Sequence, residues 1–175
     1  FYGPKIDIQM KNTNGKEDTA FTVQYDFCMP ERFDLSYTNQ DGVKQRAFVV
    51  HRSSIGAIER LMAFLIEHYA GAFPLWLAPV QVMILPISDS HNDYAKKVLT
   101  ELKKSGIRTE VNLDNETLGK KIRAGKTQKI PYLVVIGDKE VSSQTITAES
   151  RMEKLENVSV SDFITRLQTE IKEKK

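Results

Sequence analysis

The segment FPLWLAPV, residues 73–80, carries two prolines, Pro74 and Pro79, and divides the chain into stretches with different hydrophobic rhythms. A proline lacks an amide hydrogen and pushes the residue before it away from helix, so a preceding helix has to stop. Before this segment apolar residues alternate with polar ones. KIDIQM (5–10), AFTVQYDF (20–27) and RAFVV (46–50) read as strands, joined by turns at NTNGK (12–16) and NQDG (39–42). Successive strand side chains point to opposite faces, so Phe21, Val23, Tyr25 and Phe27 share one side and Thr22, Gln24 and Asp26 the other. A helix follows, with Ile55, Ile58, Leu61, Met62, Leu65 and Ile66 on its buried face, an end near Ala70 and Gly71 as its stop. The pattern predicts an incomplete antiparallel sheet with one helix against it, a modest core and open edges.

After the segment, continuous apolar runs alternate with helices. VQVMILPI (80–87) and IPYLVVIG (130–137) are expected to be strands covered on both faces. SDSHNDYAKKVLTELKKSG (88–106) is a helix with a Ser/Asp start, a Gly stop and a stripe through Tyr94, Val98, Leu99 and Leu102. IRTEVNL (107–113) is a half-exposed strand, and NETLGKKIRAGKTQK (115–129) a short basic helix and loop. GDKEV (137–141) is expected to turn into a further edge strand, and residues 162–175 form an amphipathic helix. The fold class is α/β: a partial antiparallel-sheet domain over 1–79, then a small, mostly parallel three-layer α/β domain over 80–175.

Several classes are excluded. No apolar run approaches the roughly 20 residues that span a bilayer. FYGPKIDIQM has no signal-peptide pattern and no initiator Met, and is expected to open a piece cut from a longer protein. A single cysteine, Cys28, excludes an internal disulfide and fits a reducing, cytoplasmic setting, where it reads as a small buried side chain at a strand end. Neither GxxxxGK[ST] nor GxGxxG occurs. Residues 96–129 hold ten basic and four acidic residues. Such an excess marks either a polyanion partner or solvated helix faces.

The densest chemistry lies in HRSSIGAIER, residues 51–60. His51 is expected where a strand ends and Arg60 on the polar flank of the next helix, with Gly56 between them. An imidazole held there suits a metal, and a planar guanidinium both stacks on a base and pairs with phosphate. Local alternatives stand beside these roles. A lone histidine is commonly structural, Arg60 has Glu59 and Glu67 as helix neighbours, Thr22, Gln24 and Asp26 fit simple solvation, and Asn115 suits a helix N-cap. His68 and His91 read as surface or helix-end residues.

FYGPK (1–5), TVQYDF (22–27), PERFDLSY (30–37), the run from His51 to Pro79 and WLAPVQV (76–82) resemble, in order, the class II aminoacyl-tRNA synthetases in their threonine-specific form. The resemblance covers the whole chain and implies the C-terminal portion of such an enzyme. That enzyme activates threonine with ATP and Mg²⁺ and transfers it to tRNA(Thr). It implies that Arg60 contacts ATP and that Tyr2, Lys5, Thr22 and Gln24 wall the adenylate site. It implies that His51 is one of three ligands of a Zn²⁺ ion that selects threonine over valine. It implies an anticodon-binding domain in which Asn115, Arg123 and Glu140 read bases, with Lys126 and Lys129 near loop phosphates. It implies a homodimeric parent, and a separate piece that is inactive because the family's first two motifs lie elsewhere. The chain departs from the family at Asp18-Thr19-Ala20, where Trp-Gln-Cys is usual, at Ala57, where serine is usual, and at Glu149, where arginine is usual. These departures favour, as an alternative, a non-catalytic tRNA-binding protein derived from a synthetase C-terminus.

Overall fold

A computed structural model describes residues 2–175; Phe1, which opens FYGPK, lies outside the described residues. The chain forms two compact units that meet in sequence at Ala70 and Gly71.

In the first unit, β1 (Lys5–Lys11), β2 (Glu17–Asp26) and β5 (Val49–Ser53) form an antiparallel sheet in the order β1-β2-β5. The β1–β2 turn is set by Asn12, whose Oδ1 accepts the amides of Asn14 and Lys16. A short helix α1 (Cys28–Arg32) and a hairpin, β3 (Ser36–Thr38) with β4 (Lys44–Arg46), lie between β2 and β5. Cys28 opens α1 and is half-buried. The stretch RAFVV is not one strand. The Ala47 amide bonds to Leu35 O, and β5 starts only where Val49 pairs with Asp26.

Helix α2 spans Ile58–His68 and ends two residues short of Ala70. Its apolar stripe is not buried. None of its residues is buried, and Ile58 is 69% exposed. Among the described residues of this unit only Asp26 and Pro30 are buried. On the sheet, Ile6, Ile8, Phe21, Tyr25 and Val50 are exposed, although Tyr25 stacks on Phe48 at 5.6 Å. The expected modest core is therefore absent: three strands offer too little area to cover a helix and two sheet faces.

The second unit carries the core. Its sheet runs β10-β9-β8-β6-β7, with β6 (Val82–Pro86) parallel to β7 (Thr109–Val111) and β8 (Tyr132–Ile136). β9 (Ile146–Glu149) and β10 (Lys154–Val158) add an antiparallel edge. The alternation of β6 builds the layers. Val82 and Ile84 pack with α3 (Asn92–Lys104) and α6 (Val160–Glu173) through Val98, Leu102, Phe163 and Leu167. Met83 and Leu85 pack on the other face with Leu133 and with Leu118 and Ile122 of α4 (Leu118–Thr127). Gly125 lets α4 approach closely, since a Cβ there would stand 2.5 Å from Leu133 Cδ2.

GDKEV does not run into a strand. It forms α5 (Asp138–Ser143), because the Glu140 carboxylate accepts the Gly137 amide and fixes a helical start. The strap from Gly71 to Pro79 belongs to this unit. The buried Gln81 side chain donates to Leu75 O, and Arg108 donates to Ala78 O and Trp76 O. No helix of the described residues is long and apolar enough to cross a membrane.

Candidate functional site

The β1-β2-β5 register gathers the polar residues of the first unit. Lys5 pairs with Gln24 and Gln24 with His51; Asp7 pairs with Thr22 and Thr22 with Ser53. Directly paired residues present their side chains on the same face. Lys5, Asp7, Thr22, Gln24 and His51 thus form one polar surface. Lys5 Nζ lies 2.8 Å from Asp7 Oδ2. The Lys5 ammonium and the Thr22 hydroxyl hold the Asp7 carboxyl below the usual carboxylate range. Its other oxygen, Oδ1, is buried with no hydrogen-bond partner. Tyr2 joins through its backbone, its carbonyl accepting the Phe27 amide. Gly3 permits this approach, with φ +149° and no room for a Cβ, which would lie 2.2 Å from Tyr25 O.

His51 stands at the centre of β5 rather than at its end. Its Nε2 lies 2.9 Å from Asp26 Oδ2. A carboxylate only accepts hydrogen bonds, so Nε2 carries a proton, and Nδ1 takes no part in that bond. Asp26 is 1% exposed. Burial pushes its carboxyl up, but the Met29 amide, His51 and the Cys28 amide outweigh that, and the group titrates below its ordinary range. This carboxylate–histidine pair is the support a metal-ligating imidazole commonly has. Among the described residues no three His, Cys, Asp or Glu side chains converge on a metal position.

Arg60 lies in the first turn of α2. The turn before that helix passes through Gly56 (φ +68°), whose amide bonds to Ser53 Oγ. Arg60 is exposed, and its Nη1 donates to Thr19 O at 3.4 Å. The ion pairs among the described residues do not include it with Glu59 or Glu67; Glu67 accepts instead from Thr13 Oγ1. Arg60 lines a cavity of about 110 Å³ with Met10, Asp18, Ala20, Ile55 and Phe64. That cavity does not include His51, Gln24, Thr22, Lys5 or Tyr2. The register unites the sheet residues; Arg60 stands beside them at the hairpin end of β2.

In the second unit Asn115 and Arg123 are exposed. Asn115 does not cap α4. Thr117 occupies the N-cap position, and Asn115 stays in the preceding bend. Glu140, expected to face a base, is instead 8% exposed, with Oε1 accepting from Thr147 and Oε2 from Gly137. Burial raises its pKa, and these bonds more than reverse the effect, leaving it lowered. Lys129 is exposed at the end of the α4 turn. Lys126 is tied to Glu149 at 2.6 Å.

Sequence reasoning missed two groups. Lys121 is buried, with Nζ donating to Pro86 O and Asn112 O across the strand ends. His91 is not at the surface. It is 4% exposed, accepts the Ser88 amide at Nδ1 and lies 2.9 Å from Asp138 through Nε2. His91 and Asp138 are 47 residues apart, so no local pattern announces the contact.

With this geometry in place, comparison with known proteins is decisive about family. Residues 1–69 match the tRNA synthetase class II core domain (G, H, P, S and T), and residues 81–170 match the anticodon binding domain. The chain belongs to the class II aminoacyl-tRNA synthetases, joining core-domain sequence to an anticodon-binding domain. Within that class it is similar to threonine--tRNA ligases. It is 51% identical over 172 residues to that of Clostridium tetani, a match covering 98% of this chain and 27% of the relative. The chain thus spans about a quarter of the length of the curated relatives it matches. Among solved structures it is similar to the RNA binding domain of threonyl-tRNA synthetase from Cryptosporidium parvum, with TM-score 0.82 and 33% identity, covering 97% of this chain and 43% of that one. Prolyl-tRNA synthetase of the same organism shares the fold, with TM-score 0.78 and 19% identity, covering 98% and 37%.

Proposed function

We propose that this chain is the C-terminal portion of a threonine--tRNA ligase whose parent, a cytoplasmic homodimer, activates threonine with ATP and Mg²⁺ and charges tRNA(Thr). The observation that carries this reading is the 51% identity to one such enzyme, spread over 172 residues and hence over both units. In functional terms residues 1–79 end the catalytic-domain sequence and residues 80–175 form the anticodon-binding domain, the strap 71–79 packing with the second unit.

In the parent, Arg60 contacts ATP through a permanently charged plane able to stack and to pair with phosphate. Lys5, Thr22, Gln24 and Tyr2 wall the adenylate. His51 would offer to Zn²⁺ its Nδ1, the ring nitrogen that Asp26 does not engage. Bound zinc would supply an open position able to take the amino and hydroxyl groups of threonine together. In the anticodon-binding domain Asn115 and Arg123 address bases and Lys129 loop phosphate. Glu140 acts from beneath, holding the start of α5 against β9.

Adenylate chemistry depends on groups positioned together around charge that develops in the transition state. The 175-residue chain should therefore bind tRNA without activating threonine. Binding to tRNA with a threonine anticodon, against the same tRNA with an altered anticodon, tests this. The expected result is preference for the first, reduced by Arg123→Ala. Equal binding to both RNAs, or threonine-dependent pyrophosphate exchange at a normal rate, would overturn the reading.

A further inference from the structure

One feature of the anticodon-binding unit has an unusual charge arrangement: a cleft of about 420 Å³ with Ile130 and Leu133 among its lining and Lys126, Lys129, Glu149 and Arg151 around it. Its cations are not equivalent. The Arg151 guanidinium donates to Ala72 O at 3.0 Å and to Lys129 O at 2.5 Å, so it serves the backbone. Lys126, in the last turn of α4, points its ammonium at Glu149 Oε1, 2.6 Å away, and the two side chains are 58% and 32% exposed. Glu149 ends β9 between two cross-strand partners, Leu133 of β8 and Lys154 of β10, and the Lys154 ammonium is itself paired with Glu156 at 2.6 Å. The sheet therefore fixes the Glu149 backbone, and the lysine is the more exposed partner of the two. An exposed pair of this kind is held weakly, so a competing anion displaces it at little cost. An RNA phosphate diester competes because its neutralisation releases condensed counterions, a gain the carboxylate does not offer.

We propose that Glu149 is an internal competitor for this cleft. It occupies Lys126 in the free protein and yields it to a phosphate of a single-stranded RNA segment. The inference rests on the RNA-binding reading above and adds to it a residue that limits affinity. By holding one lysine back, Glu149 reduces the attraction of the basic surface for RNA.

The test compares the 175-residue chain with Glu149→Gln, Lys126→Met and the double variant, binding tRNA(Thr) transcript by fluorescence anisotropy over a series of KCl concentrations. All four side-chain choices lie at the surface, and thermal melting checks that each chain folds. Glu149→Gln should bind about three- to fivefold tighter, the scale of one exposed ion pair. Its log K against log salt should keep the same slope, because Lys126 neutralises one phosphate in both complexes. In the Lys126→Met background the same change at 149 should do nothing. An unchanged affinity for Glu149→Gln, or a steeper salt slope, overturns the proposal. So does an equal gain with Lys126 absent, which would mean simple charge repulsion. If the parent chain still prefers the threonine anticodon in either case, the RNA-binding reading survives. If none of the four chains binds tRNA better than an unrelated RNA, that reading falls and this proposal with it.

Discussion

Tyr132 offers a sharp test of the packing of the second unit. It ends a hydrogen-bonded chain at the sheet–helix interface: its hydroxyl donates to Glu170, 2.9 and 3.1 Å from the two oxygens, and Glu170 also accepts from Arg166 Nε at 3.0 Å. The ring is 4% exposed and meets Phe163 edge-on at 5.4 Å. Burial, followed by the Glu170 hydrogen bond and charge, pushes the phenol up to about 12, with Arg166 pulling the other way. In the unfolded chain the phenol ionises near 10. The unfolded state thus loses its proton first, and alkali favours unfolding. The stabilisation is complete below about pH 10 and is lost as pH rises through about 12. Each tenfold difference in proton affinity is about 1.4 kcal/mol, so the loss over that window is on the order of 2–3 kcal/mol. Urea unfolding at intervals from pH 8 to 12, for the parent chain and Tyr132→Phe, isolates it, because all other groups titrate in both. Phenylalanine should cost about 1 kcal/mol at pH 8 through the lost hydrogen bond. The difference should then shrink and reverse as pH climbs. Parallel curves would refute the argument and mean that the phenol is solvated.

Three further outcomes follow from single contacts. Asp26→Asn should turn the His51 ring over to the Nδ1–H tautomer, because an amide NH₂ facing Nε2 needs an acceptor there; long-range ¹H–¹⁵N NMR that shows Nε2–H in both chains would contradict this. Glu140→Gln should lower stability by about 1 kcal/mol through weaker bonds to Gly137 and Thr147 while leaving anticodon preference unchanged. Arg123→Ala should do the reverse, and loss of preference in Glu140→Gln would put the carboxylate on the base. Two glycines of α4 should respond with opposite sign. Gly119 has nothing within 4 Å of a Cβ, so alanine should stabilise by about 1 kcal/mol through helix preference. At Gly125 the Cβ meets Leu133 at 2.5 Å. Overpacking there should leave a net loss of about 1–2 kcal/mol, measured by thermal melting.

The elements that burial organises were legible from residue pattern alone. β6 and β8 are continuous apolar runs, and α3 and α6 have stripes whose members Val98, Leu102, Phe163 and Leu167 are buried. Pattern was misleading where it names a face but not what covers it. The α2 stripe has the right period, yet Ile58, Met62 and Ile66 are exposed, because periodicity does not count the area available opposite. GDKEV was unreadable for a different reason. Its short apolar content allowed a strand, and a side-chain cap at Glu140 decided for helix. The candidate site was half legible. Alternation put Thr22, Gln24 and Asp26 on one face, and the resemblance singled out His51 and Arg60. Only the cross-strand register shows His51 opposite Gln24 and within reach of Asp26. The pairing of Lys126 with Glu149 likewise spans 23 residues and depends on where β9 ends.

The two units therefore hold their functional groups by different means. In the second, buried side chains on both faces of β6 fix the helices, and exposed residues such as Arg123 inherit that rigidity. In the first, nothing comparable exists among the described residues. Its one fully buried carboxylate, Asp26, caps α1 through Cys28 and Met29 and orients His51 through its other oxygen. A buried anion with three donors is well satisfied, yet removing His51 leaves Oδ2 unpaired at a cost of about 1–3 kcal/mol. The orientation of His51 thus depends on a hydrogen-bond network rather than on packing. Binding by the second unit should accordingly persist in this chain under mild urea that already erases the His51–Asp26 signature. Amide exchange should show the same order, with β6 and β8 protected far longer than β5. Equal protection of β5 and β6 would mean that the first unit draws on a core its exposed apolar residues do not reveal.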